Sequence, residues 1–182
     1  IIPAAQMSSH EKSLSPGDLV TASNGKTIEV NARGAEGCLL MADALALADS
    51  LGVDAIVSLA TLTDSAIVAL GEHVAGVWAT DDALADEVMD AARRGGEPMW
   101  RLPLIGRYRD KLWAPFADVR STGPVEGRAI TTALLLREFV AATPWVHIDM
   151  TGPVWSAKVD GYYNAGATGF GAATLIHWLC PY

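Results

Sequence analysis

Apolar and polar positions along this chain change period repeatedly, and each change marks an element. Leu19-Val20-Thr21-Ala22 lies between the turn signals Pro16-Gly17-Asp18 and Asn24-Gly25, and Thr27-Ile28-Glu29-Val30 then alternates. Two short strands about an Asn-Gly turn predict a hairpin. From Leu39 the period becomes helical, with Leu40, Ala44, Leu47 and Leu51 three or four apart, until Gly52 ends the run. Ala55 to Ala60 is almost continuously apolar, like a strand covered on both faces. Val74 to Ala79 reads as another strand, and Asp81-Asp82 caps a helix reaching about Arg94. Arg128 to Ala141 has the pattern of an amphipathic helix, Trp145 to Met150 that of a core strand, and Gly169 to Cys180 that of a very apolar final helix. Strands alternating with helices predict an α/β fold, a three-layer sandwich with a mixed, largely parallel sheet flanked by helices. There is no internal repeat, low-complexity tract or linker, so residues 1–182 read as a single domain.

Composition adds a second expectation. Of the 182 residues 51% are apolar and only 19% charged, and mean hydropathy is +0.24. The longest apolar run falls short of the roughly 18 residues that a membrane helix needs. Such a chain, with no membrane span, is expected to bury surface against a partner. The net charge of −8, and no basic run longer than Arg93-Arg94, argue against nucleic acid, because phosphate binding needs clustered cations. Two cysteines without metal-ligand spacing point to a reducing, cytoplasmic compartment. The first residues, Ile1-Ile2-Pro3, contain neither an initiator Met nor a signal-peptide pattern, so the chain reads as trimmed, processed or partial.

Few residues offer chemistry by themselves. Ala35-Glu36-Gly37 stands where the hairpin turns into a helix, and Gly37 is expected to let backbone approach closely. Glu36 is an oxygen ligand of the kind that hard divalent cations prefer, or a carboxylate that complements a helix start. Cys38 is a nucleophile or soft-metal ligand, or a small buried helix-start side chain. His147 and Asp149 alternate along a strand and share a face, as a base with its orienter or as a hydrogen-bonded structural pair. His10, His73 and His177 make no spacing set, and the six tryptophans read as core or interface.

Longer blocks carry a resemblance. Gly34-Ala35-Glu36-Gly37-Cys38-Leu39 is similar to the N-T-D-A-E-G-R-L signature of the leucyl (cytosol) aminopeptidases, with Gly34 at the Asp position and Cys38 at the Arg position. Pro16-Gly17-Asp18 and Gly25-Lys26-Thr27 through Val30 resemble the family's lead-in to that signature. Ala60-Thr61-Leu62-Thr63 with Ala69-Leu70-Gly71 resembles A-T-L-T-G-A and A-L-G. Trp100 to Leu104, Phe116-Ala117-Asp118, Ile130-Thr131, His147-Ile148-Asp149 with Gly152 and Trp155, and Gly166-Ala167-Thr168-Gly169 follow in family order.

The resemblance implies a metallohydrolase that removes N-terminal residues from peptides with two divalent metals, zinc, manganese or magnesium. The metals polarise the scissile carbonyl and hold a bridging hydroxide. It implies Glu36 as a metal ligand and Cys38 at a catalytic position. Thr61, Leu62, Thr63, Asp64 and Ala167 fall at substrate-binding positions. The family's other ligands, a lysine and two aspartates, and its catalytic lysine have no counterpart here, which implies a second chain that carries them in a hexamer-type oligomer. Gly34 has no side chain to bind metal, and Cys38 cannot fork onto an oxyanion as arginine does. Asp64 stands where the family usually has Gly; it either caps the following helix or recharges the pocket near the substrate's amine end. The loop Ser121 to Gly127 departs from the family's N-I-G-G-R-x-G-G. Two functions stay open: a chain of an aminopeptidase completed by a partner, or a catalytically inactive subunit that keeps the fold for assembly, binding or regulation. A reaction through the Cys38 thiol is a third.

Overall fold

The computed structural model describes residues 1–5, 14–161 and 163–180, so His10 lies outside the described residues. The chain divides into two compact units, Ile1–Ile56 with Leu104–Thr143, and Val57–Pro103 with Pro144–Tyr182. Both mix helices and sheet, and the fold class is α/β.

The first unit carries the hairpin. Strands β1 (Leu19–Thr21) and β2 (Thr27–Glu29) pair antiparallel, and β2 pairs parallel with β6 (Val119–Arg120), placing Ile28 opposite Val119. The turn is closed by Gly25 N–H donating to Ala22 O and by Lys26 N–H donating to the Asn24 side chain. Helix α1 (Glu36–Ser50) packs on α4 (Arg128–Arg137), and α4 also packs on a 3₁₀ segment, Gly106–Leu112. Being covered from two sides makes α4 buried almost all round, from Ala129 to Leu136, rather than amphipathic as its sequence suggests. Glu138, just past α4, accepts from Lys26 Nζ and Arg109 Nε, both at 2.6 Å.

The second unit is built on a mixed four-stranded sheet in the order β3 (Ile56–Ala60), β7 (Trp145–Asp149), β4 (Ala75–Ala79), β5 (Met99–Arg101). β4 runs parallel to β5 and antiparallel to β7. Every residue of β4 and β7 is buried, because helices α2 (Asp64–Leu70) and α3 (Asp82–Gly95) pack on this sheet. Asp81 caps α3 through Leu84 N–H, as its position before the apolar periodicity predicts.

Helix α5 (Ala172–Leu179) packs on α3 and is anchored at its start by a buried carboxylate. Glu97 accepts from Gly171 N–H, Thr174 N–H and Thr174 Oγ1 at 2.7, 2.8 and 2.5 Å. Gly171 has φ +94°, and a Cβ there would come within 2.3 Å of Leu59 Cδ2, so only glycine fits this junction. α5 buries only Thr174, while Ile176 and Leu179 are exposed despite the apolar sequence. A two-stranded ribbon, β8 (Trp155–Ser156) and β9 (Gly166–Ala167), completes the unit with Trp155 opposite Ala167.

Candidate active site

The residues singled out in the sequence fall in both units. In the first, Glu36 opens α1, half-buried, with Cys38 half-buried on the same turn. Ala35 is the N-cap and makes no side-chain cap; Cys38 and Leu39 donate their N–H groups to Ala35 O at 3.0 and 3.2 Å. The turn before it is made by Gly34 in the left-handed region, φ +79°. A Cβ built on Gly34 or on Gly37 meets nothing within 4 Å, so the close backbone approach expected at Gly37 is not made by the described residues. Among the described residues no three of His, Cys, Asp and Glu stand close enough to hold a metal ion. The donor set that the resemblance implies is therefore incomplete: Glu36 is a single carboxylate, and Gly34 adds none.

In the second unit the loop leaving β3 is fixed from below. Asp149, at the end of β7 and only 1% exposed, spreads its carboxylate across five donors. Oδ1 accepts from Leu62 N–H and Thr151 N–H, both at 3.2 Å, and from Thr151 Oγ1. Oδ2 accepts from Thr63 N–H at 3.0 Å and Thr63 Oγ1 at 2.8 Å. A fully buried carboxylate is tolerated only with such saturation. Thr63 Oγ1 in turn accepts from Ala66 N–H at 3.2 Å and so caps α2. Thr61 and Asp64 flank this locked pair and are exposed, and Leu62 is half-buried. Ala167 is exposed on β9, and the next residue, Thr168, ties that strand down through its N–H to Val154 O and its hydroxyl to Pro153 O.

His147 and Asp149 share a face, but they do not form the expected pair. Each bonds across to a different partner, Asp149 to the Thr63 loop and His147 Nδ1 to Ser58 Oγ at 2.9 Å. Trp145 Nε1 also donates to Ser58 Oγ, and the rings of Trp78 and Trp145 stack on the imidazole at 6.3 and 6.0 Å. Burial lowers the His147 pKa to about 4, against the opposing pull of the Asp149 charge and the Ser58 hydrogen bond. A serine beside a histidine has the look of a nucleophile with its base. Yet Ser58 is 7% exposed and His147 1%, so the pair belongs to the core. Neither Ser58 nor the loop-anchoring role of Asp149 is marked by any motif in the sequence. Only the shared face of alternating positions hinted at either.

A cleft of about 640 Å³ lies elsewhere in the second unit, lined by Glu72, His73, Trp155, Lys158, Asp160 and Tyr163 among others. Neither Thr61 to Asp64 nor Ala167 lines it.

Comparison with known proteins fits these observations. The profile of the cytosol aminopeptidase family, catalytic domain, matches residues 1–176. The chain is 51% identical over 179 residues to a probable cytosol aminopeptidase of Cyanothece sp. (strain PCC 7425), covering 98% of this chain and 36% of that protein. It is 55% identical over 164 residues to one from Trichodesmium erythraeum, covering 90% of this chain and 33% of that protein. A solved structure of a tomato leucine aminopeptidase mutant superposes with a TM-score of 0.91 at 46% identity, covering 97% of this chain and 34% of that one. The chain thus spans about a third of the length of the relatives it matches. With the profile, the identities and the superposition agreeing over nearly every residue, this chain belongs to the cytosol, or leucyl, aminopeptidase family.

Proposed function

We propose that this chain is a single, partial catalytic-type domain of a leucyl-aminopeptidase-like metallohydrolase. It removes N-terminal residues from peptides and is complete only with a second chain that carries the missing lysines and aspartates. The observation that carries this reading is the Asp149-anchored loop. A carboxylate buried under five donors holds Leu62 and Thr63 rigidly while Thr61 and Asp64 stay open beside them, as a substrate-positioning loop requires. Ala167 serves the same pocket on this reading.

The family is metal-dependent, and Glu36 is this chain's candidate ligand. Two divalent ions, zinc, manganese or magnesium, would supply carbonyl polarisation and a bound hydroxide to the complete site. The donors present do not make such a centre by themselves, so the chain's own contribution on this reading is to position substrate. Exposed Trp100, Trp113, Phe116, Ile176 and Leu179 support burial against a partner in a hexamer-type oligomer. Among the described residues no helix is long and apolar enough to cross a membrane. Kinship with cytosol aminopeptidases supports a cytoplasmic placement, and the net charge of −8 supports a protein that works without nucleic acid.

Gly34 and Cys38 favour a second reading, an inactive subunit that keeps the fold for assembly, binding or regulation. Metal content of the purified native assembly, with intact masses of its chains and hydrolysis of leucine amide, decides between them. About two divalent ions per copy, a second chain and turnover support the enzyme. No metal after soaking in zinc and manganese, with no turnover, leaves the inactive subunit. Turnover without metal that a thiol-blocking reagent abolishes would instead point to Cys38.

A further inference from the structure

We infer that Asp64 is a specificity-determining residue that selects substrates with a basic N-terminal side chain, lysine or arginine. This deepens, and rests on, the reading of Thr61 to Asp64 as the substrate-positioning loop.

The sequence leaves Asp64 two roles, helix cap or pocket charge. The structure gives the first to its neighbour. Thr63 has the extended backbone of an N-cap, φ −139° and ψ 129°, and its hydroxyl accepts from Ala66 N–H. Asp64 is already inside α2 as its first residue, exposed, and its carboxylate has no hydrogen-bond or ion-pair partner among the described residues. No cation lies nearby in sequence to neutralise it: Ala60 to Leu70 contains Asp64 as its one charged residue. Two of the three residues before it are held by Asp149, so this charge is mounted on a fixed base rather than a swinging loop. A carboxylate in that position offers charge complementarity to an ammonium or guanidinium at the end of a long side chain and nothing to an aliphatic one.

Binding separates this inference from catalysis. The full chain, in its native assembly, is titrated with lysinamide, argininamide and leucinamide, followed by calorimetry and by the amide resonances of residues 61–64. The basic amides are expected to bind about three- to fivefold more tightly than leucinamide, as for one partly exposed ion pair. Asp64→Asn and Asp64→Gly are expected to abolish that preference, and raised salt to shrink it. Equal affinities in the wild type, or a preference that survives Asp64→Asn, overturn the inference and leave the pocket reading standing. Loss of all three affinities alike in Asp64→Asn also overturns it, because the carboxylate then reads the shared α-ammonium group. Binding of none of the amides to any form overturns the pocket reading itself, and the inference with it.

Discussion

Two loops in this chain lead from a strand into a helix at family motif positions, and they are built in opposite ways. Before α2, Thr63 caps with its side chain and is itself held by a buried carboxylate. Before α1, Ala35 makes no side-chain cap, and the turn is made by a glycine with left-handed backbone. The first loop is held by side-chain chemistry, at the residues proposed above to position substrate. The second keeps its shape through the backbone, at the turn where Glu36 is proposed as a metal ligand. A loop can thus be held by side chains or by its backbone alone, and the two loops of this chain show both.

The contrast is broken most directly at Asp149. Asp149→Ala strands five donors, three of them on the loop residues Leu62 and Thr63 and two on Thr151, and should cost about 3–5 kcal/mol by chemical denaturation. Asp149→Asn, which keeps one carbonyl acceptor, should cost less. A loss below about 1 kcal/mol for the alanine variant would mean that the loop is not anchored as described.

Acid tests the same core. His147 is neutral in the folded state with a pKa of about 4, below the ordinary value of 6.5. The unfolded chain therefore binds the extra proton first, and stability falls as pH drops from about 6.5 to about 4. The loss should be roughly 3 kcal/mol at most. Asp49, Asp118 and Glu138 also have lowered values, but their contributions disappear only as pH falls below the ordinary carboxylate range. For Glu138, burial pushes the pKa up and is outweighed by Lys26 and Arg109. A His147→Gln variant should flatten the slope between pH 6.5 and 4 and leave the steeper loss below it; an unchanged slope in thermal melts would assign it elsewhere.

Thr63→Ala removes one hydroxyl that serves both as cap and as donor to Asp149, for about 1–2 kcal/mol. No cap of that kind exists before α1, so the matching change there acts through the backbone. Gly34→Ala should cost about 1 kcal/mol because of its left-handed conformation. Gly34→Asp should cost less, since Asp tolerates that region and the space around a Cβ is open. It also returns a second carboxylate to the turn and should raise zinc or manganese uptake measured by elemental analysis. If Gly34→Ala is neutral and Gly34→Asp gains no metal, the second loop has lost more than one ligand.

The longer helices and core strands and their order were legible in the amino-acid pattern alone, whereas β5, β6, the 3₁₀ segment and the β8–β9 ribbon were not. Hairpin, helices and core strands follow from periods of two and 3.6 and from turn residues, and they form within a few positions of where those signals lie. The sequence also made the family resemblance legible, including both departures, because motif residues are contiguous. What it left open were contacts between residues far apart in the chain. The sequence left Asp64 as cap or pocket charge; the cap of α2 is its neighbour Thr63, whose side chain is held by Asp149, 86 residues away. Whether His147 pairs with Asp149 was settled by Ser58, 89 residues away on the neighbouring strand. The burial of α4 on nearly every side likewise came from two separate neighbours, α1 and the 3₁₀ segment. Local pattern fixes backbone conformation because steric and hydrogen-bonding preferences act over a few residues. The partner of a buried polar group is decided only when the sheet brings distant strands side by side and removes water as the alternative.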